Sequence, residues 1–203
     1  MEYKKFYSLD QVLDNFGGYD FGYAGNLNGA SLNCLDLSGI NFSGMSLVAT
    51  DLRYSILDGC RFDKADLTGA GLQYCSAKQA SFVSACCLGS RFTRADLTGA
   101  TFDKADLSLA IFRKANLESA SFIKANLERA NLEKVNANGV SFEGANISET
   151  VMTGMSIRNI TFQFGFRHVE SIVLGNRVLM ELSETERVII EALRMRRTKE
   201  DRR

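Results

Sequence analysis

Proline and tryptophan are absent from the 203 residues, histidine occurs once, and 24 basic side chains are matched by 24 acidic ones. A net charge of zero gives no direct support to a nucleic-acid binder, a ligand of anionic membranes or an acidic DNA mimic. Apolar runs are short, as at Ile172 to Leu174 and Val188 to Ile190. Spanning a bilayer takes about 20 apolar residues, so no membrane span is expected. The first 25 residues carry two lysines and no continuous apolar stretch, which argues against a Sec signal peptide. The five cysteines form no CxxC pair and have no histidine clustered near them. That usage fits a reducing compartment better than a disulfide or zinc framework, so a cytoplasmic location is expected.

What is there is repetition. From Gly25 to Phe164 the chain divides into 28 consecutive pentads with no insertion or deletion. The central residue of each, position i, is always apolar, from Leu27, Leu32, Leu37 and Phe42 through to Ile147, Met152, Ile157 and Phe162. Position i−2 is small or apolar, with alanine at every pentad from 105 to 130. Position i−1 is mostly Asp, Asn, Ser or Thr, and i+1 and i+2 are mostly polar, charged or Gly. A period of five suits neither an amphipathic helix nor a regular strand. It suits a short extended piece, with i−2 and i facing in and i−1 facing out, followed by a turn at i+1 and i+2.

A second period sets the size of the coil. Phe42, Phe62, Phe82, Phe102, Phe122, Phe142 and Phe162 recur every 20 residues, so every fourth pentad stacks on its predecessor. Four sides per coil and seven coils follow, a rod about 35 Å long at roughly 4.8 Å per coil. The phenylalanines should form its axial core. The absence of proline fits the same picture, because stacked coils need their backbone N–H groups for the ladder.

The segments Ala65-Asp66-Leu67-Thr68-Gly69, Ala95-Asp96-Leu97-Thr98-Gly99, Ala105-Asp106-Leu107-Ser108-Leu109, Ala115-Asn116-Leu117-Glu118-Ser119 and Ala125-Asn126-Leu127-Glu128-Arg129 carry a family resemblance. They resemble the A(D/N)LxX repeat of pentapeptide repeat proteins, and the resemblance covers residues 25–164. It implies the family's all-β solenoid, a right-handed quadrilateral β-helix with i and i−2 filling the interior.

Solenoids need capped ends. Residues 1–24 read as an N-terminal cap: Ser8-Leu9-Asp10-Gln11 is a capping-box pattern, with Tyr7 and Val12 placed as a hydrophobic staple and a short helix expected at about 8–16. Residues 165–203 read as a C-terminal cap, with a hairpin turning at Gly175-Asn176 and a helix after Ser183-Glu184-Thr185-Glu186. In that helix Val188, Ile189, Ala192 and Leu193 make an apolar stripe. The stripe either covers the last coil of its own chain or joins two chains in a homodimer, as the resemblance to dimeric family members implies.

No catalytic constellation stands out. His168 has no obvious partner, Cys60, Cys75 and Cys87 take inward positions, and Cys34 and Cys86 should face out. Asp36, Asp51, Asp66, Asp96 and Asp106 sit at i−1, where hydrogen bonding to the local turn explains them without acid–base chemistry. There is no P-loop, GxSxG or metal-spaced His/Cys set, so neither an enzyme nor a cofactor is expected.

The outer surface is more informative. The side centred on Leu32, Leu52, Leu72, Phe92, Phe112, Leu132 and Met152 carries Arg53, Arg91, Arg94, Arg113, Lys114 and Lys134 against Asp51 and Glu133, a net charge of +4. Tyr54 and Tyr74 share its i+2 column with Arg94, Lys114 and Lys134. The side of Leu27 nets −3, that of Leu37 −2 and the phenylalanine side +1. Basic residues beside aromatics make this side the candidate binding face, while Val48, Leu88 and Leu109 form a weaker apolar patch on the Leu27 side. The expected function is a non-enzymatic protein–protein interaction or scaffold module. The resemblance implies two alternatives: a translocated bacterial effector, which leaves secretion open, and a DNA-mimic-like protein that binds DNA gyrase or topoisomerase, of the quinolone-resistance type. The second calls for a long, strongly negative surface and projecting loops, both missing here. Direct binding of nucleic acid is not expected.

Overall fold

A computed structural model describes residues 4–7, 11–12 and 26–156. Over 26–156 the backbone bridges join residues 20 apart, all parallel, from Asn26 with Ser46 to Asn136 with Ser156. Each bridging residue is at i−1, so four pentads complete one coil and like sides stack on like. The pentads of Ile157 and Phe162, which the expected seventh coil needs, lie outside the described residues.

Three backbone bonds per pentad tie each side to its neighbours, as where Phe82 N–H donates to Thr101 O (2.7 Å), Ser84 N–H to Asp103 O (2.9 Å) and Thr101 N–H to Ala80 O (3.0 Å). The corner closes with a bond from the next i−2 N–H to the i carbonyl, Ala85 to Phe82 at 3.1 Å. Such a turn needs a left-handed residue at i+2. Every i+2 position from Gly29 to Glu149 and Gly154 has φ between 55° and 73°, and in most pentads that residue carries a side chain. Left-handed backbone costs such residues roughly 1–3 kcal/mol, which the repeated ladder bonds offset. The extended pieces are shorter than the periodicity suggests. Apart from Lys4–Lys5 and Leu35–Asp36, each is a single bridging residue between turns.

The inward columns are buried as expected, with i positions from Leu27 to Met152 no more than 2% exposed. Phe42, Phe62, Phe82, Phe102, Phe122 and Phe142 stack with centroids 4.6–5.2 Å apart. Phe162 lies outside the described residues. A second, shorter column went unrecognised in the sequence: Phe92 stacks on Phe112 at 4.7 Å from the opposite side. These two meet Phe82, Phe102 and Phe122 edge to face at 5.7–5.9 Å. Hydroxyls at i−2 are satisfied inside, since Thr50, Ser55, Ser90 and Thr150 each donate to a carbonyl of the preceding coil at 2.7–2.8 Å.

The N-terminal edge differs from the expected cap. Strand β1 (Lys4–Lys5) pairs in parallel with β2 (Leu35–Asp36), and Phe6 N–H extends the ladder to Asp36 O at 2.9 Å. Phe6 is buried, whereas Tyr7 is 76% exposed, so Tyr7 is not the inward half of a staple. The reason is the strand: β1 fixes the facing of the residues after it, and Phe6 takes the inward place. Gln11 Oε1 accepts from Tyr7 N–H at 2.8 Å, and Val12 is fully buried. The rest of the helix expected at 8–16, the C-terminal hairpin and helix, Val188, Ile189, Ala192, Leu193 and His168 lie outside the described residues.

Candidate interaction face

The i+2 turn residues point away from the axis, and the 20-residue register lines them up along it. On the basic side this makes one column of Tyr54, Tyr74, Arg94, Lys114 and Lys134. Tyr54 and Tyr74 stack with centroids 5.0 Å apart and planes 8° apart, yet remain 48% and 45% exposed. The Arg94 guanidinium lies over the Tyr74 ring at 5.7 Å. Both faces of Tyr74 are therefore covered, and the rings offer their edges and hydroxyls outward.

Half the cations beside this column are engaged. Arg53 pairs with Asp51 at 2.7 Å, and Glu133 bridges Arg113 at 3.1 Å and Lys134 at 2.8 Å. The Arg53 guanidinium first, with its backbone N–H, holds the Asp51 carboxyl below the usual range despite partial burial. Lys134 and then Arg113 do the same for Glu133. Arg91, Arg94 and Lys114 are exposed and make no ion pair among the described residues. All eight predicted face residues thus fall on one side, brought together by the coil. In chain order that side stands between the two acidic ones.

The carboxylates elsewhere are structural. Asp36, Asp66, Asp96 and Asp106 each accept the N–H and hydroxyl of the residue at i+1, for Asp106 from Ser108 at 3.0 and 2.6 Å. A second role was missed in the sequence. Asp58, Asp63 and Asp103 sit at i+1 and clamp the following coil, taking the hydroxyl of Ser76, Ser81 or Ser121 and the N–H of Lys78, Val83 or Ile123. The signal was an Asp at i+1 followed 18 residues later by Ser. Burial pushes the thiols of Cys60, to about 12, and of Cys75 and Cys87 upward, so they act as small apolar fillers. Cys34 and Cys86 are half-buried, with Cys86 Sγ 3.3 Å from Thr68 Oγ1. Leu88 and Leu109 are exposed and Val48 is half-buried. Among the described residues no helix is long and apolar enough to cross a membrane, and no cluster of His, Cys, Asp and Glu could hold a metal.

Among solved structures, the chain is 35% identical to a pentapeptide repeat protein of the Arabidopsis thaliana thylakoid lumen, covering 61% of this chain and 69% of that one with a TM-score of 0.35. Trypsin-treated QnrB1, a plasmid-mediated fluoroquinolone resistance protein, is 19% identical over 84% of each chain, TM-score 0.47. HetL of the cyanobacterium Nostoc sp. strain PCC 7120, a pentapeptide repeat protein involved in heterocyst differentiation regulation, is 17% identical, covering 84% of this chain and 98% of that one, TM-score 0.33. No curated protein sequence matches. The family model for pentapeptide repeats matches residues 46–82, 90–129 and 125–163 in 8 copies. Members form right-handed β-helices and are typically non-catalytic structural or interaction proteins. With its 20-residue bridge register and its repeats matched over more than half its length, this chain belongs to the pentapeptide repeat family.

Proposed function

We propose that the protein is a non-enzymatic interaction module, a rigid rod that presents the side of Arg53, Tyr54, Tyr74, Arg91, Arg94, Arg113, Lys114 and Lys134 to another protein. One observation carries the reading: Arg91, Arg94 and Lys114 are exposed without a carboxylate partner among the described residues, beside an exposed tyrosine pair. The tyrosine stack and the Arg94 contact add to the fold, but unpaired cations such as Arg91 and Lys114 do not, and aromatic and arginine side chains are favoured at interfaces. Affinity capture with the full chain and with an Arg94→Glu/Lys114→Glu variant tests it. Loss of the captured protein from the variant is expected, and an unchanged partner would discard this face.

A gyrase-directed DNA mimic calls for a continuous acidic surface, and here the sides of net charge −3 and −2 are separated by sides of +4 and +1. Supercoiling by gyrase, with and without a quinolone, should be unaffected by the purified protein; protection of the enzyme would install the mimic reading instead. The apolar stripe of Val188, Ile189, Ala192 and Leu193 is proposed as the contact of a homodimer. A monomer mass independent of concentration in light scattering would overturn that.

A further inference from the structure

We infer that the basic side takes an extended acidic segment of a protein, laid along the rod, rather than a nucleic acid; this rests on the interaction-module reading above. Three observations converge on it. The positive charge is a narrow strip, because the sides flanking it in the coil carry Asp66, Asp106, Glu128 and Glu149 against Arg129 on one hand, and Asp36, Asp58, Asp96 and Glu118 against Lys78 and Arg158 on the other, net −3 and −2. A duplex, with one phosphate charge per about 1.7 Å of axis, is too broad and too densely charged to lie on such a strip without meeting those carboxylates.

Single-stranded nucleic acid fits a strip better, but it is held by stacking successive bases on open aromatic faces. Here Tyr54 covers one face of Tyr74 and the Arg94 guanidinium the other. The aromatic column therefore shows a partner two hydroxyl-bearing edges and at most the one outer face of Tyr54, which is no platform for successive bases. Hydroxyl donors followed by the free charges of Arg94 and Lys114 select a row of anionic acceptors that needs no stacking, which is the chemistry of aspartate and glutamate side chains.

The lengths agree as well. From Tyr54 to Lys134 is four coil steps, roughly 19 Å at about 4.8 Å each, which an extended segment of about six residues covers. Alternate side chains of such a segment face the rod, so about three carboxylates face this column, and those at its centre reach Arg91, Arg94 and Lys114, which lie within one coil step of one another and make no ion pair among the described residues.

The test is fluorescence anisotropy of labelled octaglutamate and labelled octathymidylate with the full chain at low salt. Saturable octaglutamate binding is expected, tighter than that of the oligonucleotide and weakened by about tenfold or more in Arg94→Glu/Lys114→Glu. Lys104→Glu/Lys124→Glu, the same charge change on the opposite side, should alter it less than about twofold, and far-UV melting curves establish that both variants are folded. Tyr54→Phe/Tyr74→Phe keeps the stack, removes the hydroxyls and should weaken binding severalfold. Tighter binding of octathymidylate, equal losses in the two charge variants, or no binding of octaglutamate overturns the inference. If octaglutamate fails while affinity capture stays sensitive to Arg94→Glu/Lys114→Glu, the interaction-module reading stands and only the acidic segment is wrong.

Discussion

Between Asn26 and Ser156 every bridge joins residues 20 apart, while at the N-terminal edge Lys4 pairs with Leu35 and Lys5 with Asp36. In the repeat, side chain and backbone carry the same message, with an apolar i, a small i−2 and a left-handed i+2. At the edge the backbone pairing persists although the repeat does not. The edge strand supplies two exposed lysines, and Lys5 reaches Asp36 at 3.2 Å. A strand end marked by lysine resists pairing with a second molecule. The same ladder chemistry thus propagates a coil in one region and stops it in the other; what differs is the sequence hung on it.

Breaking the repeat should cost most. Phe102 touches Phe82, Phe122, Phe92 and Phe112, so Phe102→Ala leaves a cavity on both columns and is expected to destabilise by about 3–5 kcal/mol, read as a lower midpoint in chemical denaturation. Phe6→Ala removes a buried ring as well, but from an edge held by a two-residue strand pairing. Its effect should be smaller, below about 3 kcal/mol, and hydrogen exchange should speed up at Phe6 N–H while Phe102 N–H stays protected. Equal protection at both sites would mean that edge and coils open as one unit.

A milder break is at the corner. Gly59 has φ of 66° and open space around a would-be Cβ, so Gly59→Ala isolates the backbone term, expected at about 1–3 kcal/mol. Ser119, already left-handed with φ of 59°, should accept Ser119→Gly with no loss of thermal midpoint.

Acid gives the smallest contrast. Burial pushes the Asp36 and Asp63 carboxyls up, but Ser38 with Lys5, and Ser81 with Arg61, outweigh it and hold both below the usual value. A carboxyl depressed in the folded state stabilises above its unfolded value, near pH 4, and that contribution is lost as pH falls through the folded value. Below about pH 4, protection of Phe6 N–H, which donates to Asp36 O, should fall relative to intrinsic exchange before protection in the middle coils does. Simultaneous loss of protection would remove the distinction between edge and coil.

The sequence announced the coil because its signal repeats. One pentad with an apolar centre means little, and 28 in one frame are hard to read otherwise. The Tyr54 and Tyr74 column was legible for the same reason, as two residues 20 apart. Lys4 and Lys5 were not, because an edge strand buries nothing at those positions and leaves no hydrophobic period. Nor was the shielding of Tyr74 by Arg94, which depends on a side-chain conformation that spacing does not specify. The ion pairs that leave only Arg91, Arg94 and Lys114 free on the face were hidden alike.

The coil register has a consequence for how such a chain can change length. Inserting one pentad keeps every inward column apolar and every corner left-handed, although it interrupts the phenylalanine stack, whose members are 20 residues apart. Yet all that follows rotates by a quarter turn, and the column that began with Tyr54 and Tyr74 would continue into the residues of an acidic side. Inward polarity and corner geometry read this chain in units of five, whereas the phenylalanine stack and a partner lying along one side read it in units of 20.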